Sequence, residues 1–277
     1  MAIDEGRIAR HIKPLIGSIP ANDLRRADVQ RMADAIAQGK TAGVYRDKSR
    51  GRAVVTGGAG TAARVVELFR GMWSWAEKRD LVTGASPTRV VETARGEPKD
   101  RVLSPEELGA LGKALEKATA TSPMAAAAIR LIALTGLRRE EACGLEWAKA
   151  DAAGCCLRLV ETKTGRSMRP IGQAARDLLA GLPRREGSVW VFPNRAGTGS
   201  AELKSEIASI FDAARLTDAR SRDLRRTFGS VAADEGCSDA IIGEILGHAR
   251  RGVTQRHYPP ARCGTGRGSR SRGGPDR

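Results

Sequence analysis

The sequence predicts a mainly α protein built from two helical units and one small β-hairpin. Three observations carry that reading. Apolar residues recur at helical spacing through most of the chain, in runs closed by Gly or Pro. A single stretch, 156–172, alternates with the period of two that marks a strand. Between the two sets of helices, residues 93–103 are polar and carry a lone Gly and Pro, as an interdomain linker does.

The first unit, 1–92, opens with Ile8, Ile12 and Leu15 on one helical face and Gly17 as the stop. Leu24, Val29, Met32 and Ile36 predict a second helix, ended by Gly39. Residues 40–60 read as irregular and basic, with Arg46, Lys48, Arg50 and Arg52. The run GAGTAA at 58–63 fits the form GxGxxA of a dinucleotide-binding turn, but no second strand or ribose-binding acid follows in a βαβ context. No Lys-Ser/Thr follows those glycines either, so a phosphate loop is excluded. Val65, Leu68, Met72 and Ala76 give a third helix, with Trp73 and Trp75 expected in its core and Pro87 closing the unit.

Past the linker, Ser104–Pro105–Glu106–Glu107 is a helix start: Ser as N-cap, Pro at the first helical position, and Glu107 completing a capping box. Another helix covers about 123–135, with Ala126, Ile129, Ile132 and Ala133 on its apolar side, and stops at Thr135–Gly136. Arg138 follows that turn at the head of a new helix whose Leu145 and Trp147 face the core, and Glu141 is placed to orient an arginine. In the β segment, Leu157 and Leu159 alternate with Arg158 and Val160, Lys163–Thr164–Gly165–Arg166 reads as a turn, and Met168–Arg169–Pro170–Ile171 as the returning strand. After further helices, Leu224, Phe228 and Val231 form an apolar helical face flanked by the i, i+3 pair Arg222 and Arg225, which suits a fixed phosphate. Gly236 ends that helix. Ser238 or Asp239 can cap the next, which carries Ile241, Ile242, Ile245 and Leu246 and stops at His248.

Composition narrows the partner. A net charge of +15 and a pI near 10.4 point to a polyanion, while a hydrophobic fraction of 41% is enough to build a core. The five cysteines form no CxxC and no Cys/His ligand spacing, which fits reduced thiols. No apolar run approaches the roughly 20 residues of a membrane helix and no signal peptide opens the chain, so a cytoplasmic protein without a membrane partner is expected.

Taken together, TGLR at 135–138, TKTG at 162–165, DLRRTF around Arg225, LGH at 246–248 and Tyr258 after Arg256–His257 resemble the tyrosine recombinase (phage integrase) family over about 104–258. PLIG (14–17), GGAGTA (57–62) and FRGMWSWAEKRDLV (69–82) are similar to the family's helical core-binding domain. The resemblance implies a DNA-clamping unit at 1–92 and a catalytic domain at 104–260. It also implies a site-specific recombinase that cleaves and rejoins strands through a 3′-phosphotyrosyl link and needs no metal or other cofactor. Tyr258 would be the nucleophile, Arg138 and Arg225 the phosphate clamp, Lys163 the acid for the leaving 5′ oxygen, and His248 a phosphate hydrogen-bond donor. Arg46, Lys48, Arg50, Arg52, Arg226, Arg250 and Arg251 would add DNA contacts.

Two departures stand out. Arg222 occupies a position where the family usually carries His; an arginine, with a pKa above about 12, cannot take up the tyrosine proton, so impaired activity is expected. The His248-to-Tyr258 spacing is ten residues, one more than is common in the family. No arm-binding domain is read before the core-binding one. The tail 261–277 is rich in Arg, Gly and Ser and is expected to be disordered. The implied partners are double-stranded DNA at attachment-type sites and further copies of the chain, monomeric off DNA and tetrameric in the synapse. The alternatives are a DNA-binding remnant that has lost the reaction, and a type IB topoisomerase-like enzyme.

Overall fold

The computed structural model describes residues 2–48, 51–93, 100–151, 154–162 and 165–247. The chain divides into two compact units, Met1–Lys99 and Asp100–Arg277.

In the first unit, α1 (Ala2–Arg7), a π-helical stretch (Ile8–Ile12) and α2 (Lys13–Ile16) run on as one helix, followed by α3 (Arg26–Ala37) and α4 (Ala59–Glu77). Val29, Met32 and Ile36 of α3 meet Val65, Val66 and Trp73 of α4 in a shared apolar core. Gly58, at φ +90°, caps α4, and the strands before it are antiparallel, so the GxGxxA run serves no dinucleotide-binding βαβ turn.

Two expectations fail in this unit. Residues 40–60 are not irregular: β1 (Gly43–Lys48) and β2 (Gly51–Val55) pair antiparallel, with Val44 opposite Val54 and Arg46 opposite Arg52. Val44 and Val54 are both exposed, so no buried face advertises the strands through alternation. Trp75 is not core. It is 54% exposed, with the Arg79 guanidinium 4.4 Å above its ring, whereas Trp73 is buried.

The second unit begins earlier than the linker reading suggests. Arg101 donates to Glu107 and Asp218, Leu103 is buried, and the Leu103 N–H donates to Thr227 Oγ1 at 2.9 Å. At α5 (Pro105–Thr121) the Ser104 N–H donates to Glu107 Oε2 at 2.8 Å and the Glu107 N–H returns to Ser104 Oγ at 3.3 Å, the reciprocal cap read from the sequence. α6 (Pro123–Thr135) is mostly apolar and buries most of its surface: Ala125 to Ile129, Leu131, Ile132 and Thr135 are buried, while Met124 and Leu134 are exposed. It packs against α5, the short α7 (Arg139–Cys143), α8 (Gln173–Ala180), α9 (Lys204–Ala213) and α10 (Ser221–Asp234). Because α7 ends at Cys143, the buried Leu145 lies beyond the helix expected to present it.

A sheet in the order β3 (Ala150–Asp151), β4 (Cys156–Thr162), β5 (Gly165–Pro170) lies beside this bundle. Leu157 and Leu159 are buried and Arg158 is exposed, as alternation predicts. The β4–β5 register shifts between Leu159 and Thr162. α11 (Asp239–Leu246) packs on α10 and β5. Ser238 holds its N-cap position without a side-chain hydrogen bond. On α10, Leu224 is buried and Phe228 half-buried, but Val231, expected on the same packed face, is 48% exposed.

Since Ile129 is fully buried in the core of the second unit, Ile129→Ala should destabilise that unit by about 2–5 kcal/mol. Urea unfolding with an unchanged m-value checks this, and a loss below about 1 kcal/mol would contradict the buried position of Ile129.

Candidate active site

The site lies within the second unit, where the C-terminal ends of α6 and α11 meet α7, α10 and β5. Each helix end leaves carbonyls without a partner in its own helix, and these attract cations. Arg225, projecting from α10, answers both: Nη1 donates to Gly136 O at 2.6 Å and Nη2 to Leu246 O at 2.7 Å. Gly136 and Arg225 are 89 positions apart in sequence. Gly136 takes the left-handed conformation, φ +64°, that lets α6 stop and the chain turn into α7. A Cβ there would stand 2.5 Å from Leu246 Cδ2 and 2.9 Å from Phe228 Cδ1, so space and backbone both require glycine.

Two residues on, Arg138 occupies the N-cap position of α7. Glu141 accepts from the Arg138 backbone N–H at 2.9 Å and from its Nη1 at 2.6 Å. The orienting carboxylate is nearly buried, while the Arg138 side chain stays 34% exposed. One edge of the cluster therefore remains open to a ligand.

A third guanidinium completes the cluster, and the sequence reading did not find it. Arg169 on β5 is 1% exposed, the largest fully buried side chain among the described residues. Its Nη1 donates to Ile245 O at 3.1 Å and its Nη2 lies 3.6 Å from Glu141 Oε1. Three arginines thus gather around one carboxylate. Burial first, then the Arg138 charge, pushes the Arg225 pKa down to about 10, with Glu141 opposing and Arg169 adding to the shift. Arg169 is also shifted down, by burial before all else, with Arg138 contributing and Glu141 opposing.

Other expected residues fall elsewhere. Arg222 is exposed on α10. Arg226 is partly neutralised, with Nη1 3.3 Å from Asp223 Oδ1 and Nη2 3.8 Å from Asp100 Oδ1. Lys163 falls between the described ends of β4 and β5, and His248 directly after Gly247; both, with Tyr258, Arg50, Arg250, Arg251 and the tail, lie outside the described residues. Arg46, Lys48 and Arg52 fall on the β1–β2 hairpin. Among the described residues, no three His, Cys, Asp or Glu side chains gather to hold a metal.

The excess of positive charge sets the chemistry. With its folded-state pKa below its unfolded one, protonated Arg225 opposes folding throughout the range below about 10, and the opposition fades only above that. An oxyanion seated between Arg138 and Arg225 offsets it at neutral pH. Replacing chloride by phosphate at constant ionic strength should therefore raise the Tm, and Arg138→Ala should remove most of that increment. An equal increment in the variant, measured by scanning fluorimetry, would mean that the anion acts elsewhere.

Comparison with known proteins identifies the family. The sequence model of the phage integrase family matches residues 101–262. The prophage integrase IntF of Escherichia coli K12 is 25% identical over 210 residues, covering 71% of this chain but only 45% of that protein. The tyrosine recombinase XerC of Corynebacterium efficiens is 25% identical over 214 residues, 74% of this chain and 69% of its own. In fold, the chain is similar to the Tn1549 transposon integrase in complex with circular intermediate DNA, with a TM-score of 0.68 and 16% identity over 94% of this chain and 89% of that one. It is also similar to a lambda integrase tetramer bound to a Holliday junction, with a TM-score of 0.66 and 15% identity over 90% and 71%. The family match spans more than half of the sequence, and the chain belongs to the phage integrase family, among the tyrosine recombinases.

Proposed function

We propose that the chain is a site-specific DNA recombinase that cleaves and rejoins strands through a 3′-phosphotyrosyl intermediate. The observation that carries this reading is the convergence of Arg138 and Arg225 on one open, positively charged site held by Glu141. Arg138 and Arg225 bind the non-bridging oxygens of the scissile phosphate, where their forked donors match both the ground state and the more highly charged pentacoordinate state. Tyr258 Oη attacks phosphorus and the bond to O5′ breaks. Lys163 supplies the proton that the departing O5′ takes up, and His248 donates a hydrogen bond to the phosphate. The phosphotyrosyl bond conserves the ester, so a second 5′-hydroxyl can attack it, form the new strand and free Tyr258.

The phenol of Tyr258 starts with a pKa near 10, and surplus cations favour its ionised form. With arginine at 222, the tyrosine proton must leave by another route, and a slower reaction follows from that. The first unit serves as the core-binding domain, with basic residues of the β1–β2 hairpin among its phosphate contacts. The structural neighbours include DNA-bound integrases and a tetramer on a Holliday junction, which supports double-stranded DNA as the ligand and assembly of protomers on it.

A nicked suicide duplex bearing the cognate site should trap a covalent protein–DNA adduct without added magnesium. Tyr258→Phe should bind DNA as well as the parent and give no adduct. An adduct through Tyr45, the other tyrosine in the sequence, would overturn the assignment, and tight binding without any adduct would leave a DNA-binding remnant.

Binding should also weaken linearly in log K against log salt as phosphate contacts release counterions. Removing Arg46 and Arg52 together should flatten the slope by about 1–2 without changing site preference. A salt-independent affinity would exclude DNA as the main ligand.

A further inference from the structure

Arg169 is an expensive residue to place where it is. It is 1% exposed, and its Nε and Nη2 have no hydrogen-bond partner among the described residues. Leaving such groups unmatched costs stability, and an apolar side chain of similar length generally suits a buried position better. Glu141 does not need it as a counter-ion, because Arg138 already binds that carboxylate at 2.6 Å.

What Arg169 does is join β5 to the end of α11 and to the Glu141 carboxylate of α7. Its backbone belongs to β5, the strand that begins two residues after Lys163 in the sequence. Its Nη1 holds Ile245 O, while Arg225 Nη2 holds the next carbonyl, Leu246 O. Two guanidiniums from different elements therefore grip consecutive carbonyls at the end of α11. Gly247 then turns away in the left-handed conformation, φ +61°, directly against Arg169: a Cβ at this position would fall on the guanidinium's Cζ, Nη1 and Nη2. The residue after that turn is His248. Through Glu141, the same guanidinium reaches the carboxylate that orients Arg138.

We propose that Arg169 is a positioning residue for strand cleavage, fixing the α11 end and the Gly247 turn and, through Glu141, the orientation of Arg138. This rests on the recombinase reading given above. Being buried, Arg169 acts through these neighbours and does not touch the phosphate itself. A displacement of about 1 Å in such groups costs roughly a hundredfold in rate, so a loose α11 end would be felt in the chemical step and much less in DNA affinity.

The test is Arg169→Met, which keeps an unbranched apolar stem while removing the charge and the donors, with Arg169→Lys as the second variant. Four quantities are read: Tm, DNA affinity at fixed salt, the single-turnover rate of adduct formation on the suicide duplex, and amide exchange at Gly247 and His248 relative to α6. The expected result is a Met variant with Tm equal to or above the parent and affinity within about threefold, but adduct formation about a hundredfold slower and exchange at 247–248 at least tenfold faster. Lys keeps the charge but lacks the fork, so it should recover less than a tenth of the lost rate.

An unchanged cleavage rate in a folded Met variant would overturn the proposal, as would a rate that falls only in step with folding or DNA binding. Should the Met variant not fold, the Lys variant decides by the same criteria. Absence of any adduct from the parent protein would refute the recombinase reading instead. The exchange arm still stands in that case, and unchanged exchange at 247–248 would refute the positioning role on its own.

Discussion

Glu141 is the carboxylate on which the site depends. It is nearly buried, it closes the first turn of α7 through the Arg138 N–H, and it faces the guanidiniums of both Arg138 and Arg169. One negative charge cannot neutralise three arginines. The cluster is therefore preorganised and undersatisfied at once, and its remaining positive potential is directed at the open edge beside Arg138. On the proposed function, such a site would need little reorganisation to receive a phosphodiester, which is where electrostatic stabilisation of a developing negative charge is most effective.

The rest of the unit can be understood as the scaffold that brings these charges together. α6 is anchored by a buried face that runs to Thr135, so its C-terminal end is a fixed point rather than a fraying one. Arg225 links that end to the end of α11 through one carbonyl on each. The hydrogen bonds also help retain a buried guanidinium that the neighbouring cations would otherwise expel. Helix ends are thus used twice: their carbonyls anchor the cation, and the turns that follow carry Arg138 on one side and the approach to His248 on the other.

Much of this was legible in the sequence because it is written in local rules. The Ser104–Glu107 cap, the stop at Gly136 and the pairing of Glu141 with Arg138 each follow from residues a few positions apart, and each is present. The β1–β2 hairpin was missed because exposed valines at 44 and 54 leave it without the alternation that burial imposes. Trp75 was misplaced for a related reason: an aromatic on a helix reads as core, yet the ring lies outside beneath Arg79. What could not be read at all was the long-range convergence, in which residues on separate elements meet without any shared motif.

Arg169 shows how a small backbone irregularity hides a buried member of the arginine cluster. Thr162 pairs with Gly165, and an unbroken ladder from that pair would set Arg169 opposite the exposed Arg158. The register instead shifts by one residue between Leu159 and Thr162, so Arg169 stands opposite the buried Leu157. A one-residue shift moves a side chain to the other face of a strand, and bulges near functional sites commonly re-aim side chains in this way. Here it turns an arginine from solvent towards Glu141 and the end of α11. Neither the composition of β5 nor its apolar pattern encodes that choice. It depends on the turn and on the space left beside Gly247, where no Cβ competes with the guanidinium. The bulge and the glycine are therefore two halves of one arrangement: without the shift Arg169 would face water, and without the glycine it would have no room to reach the carbonyl of Ile245.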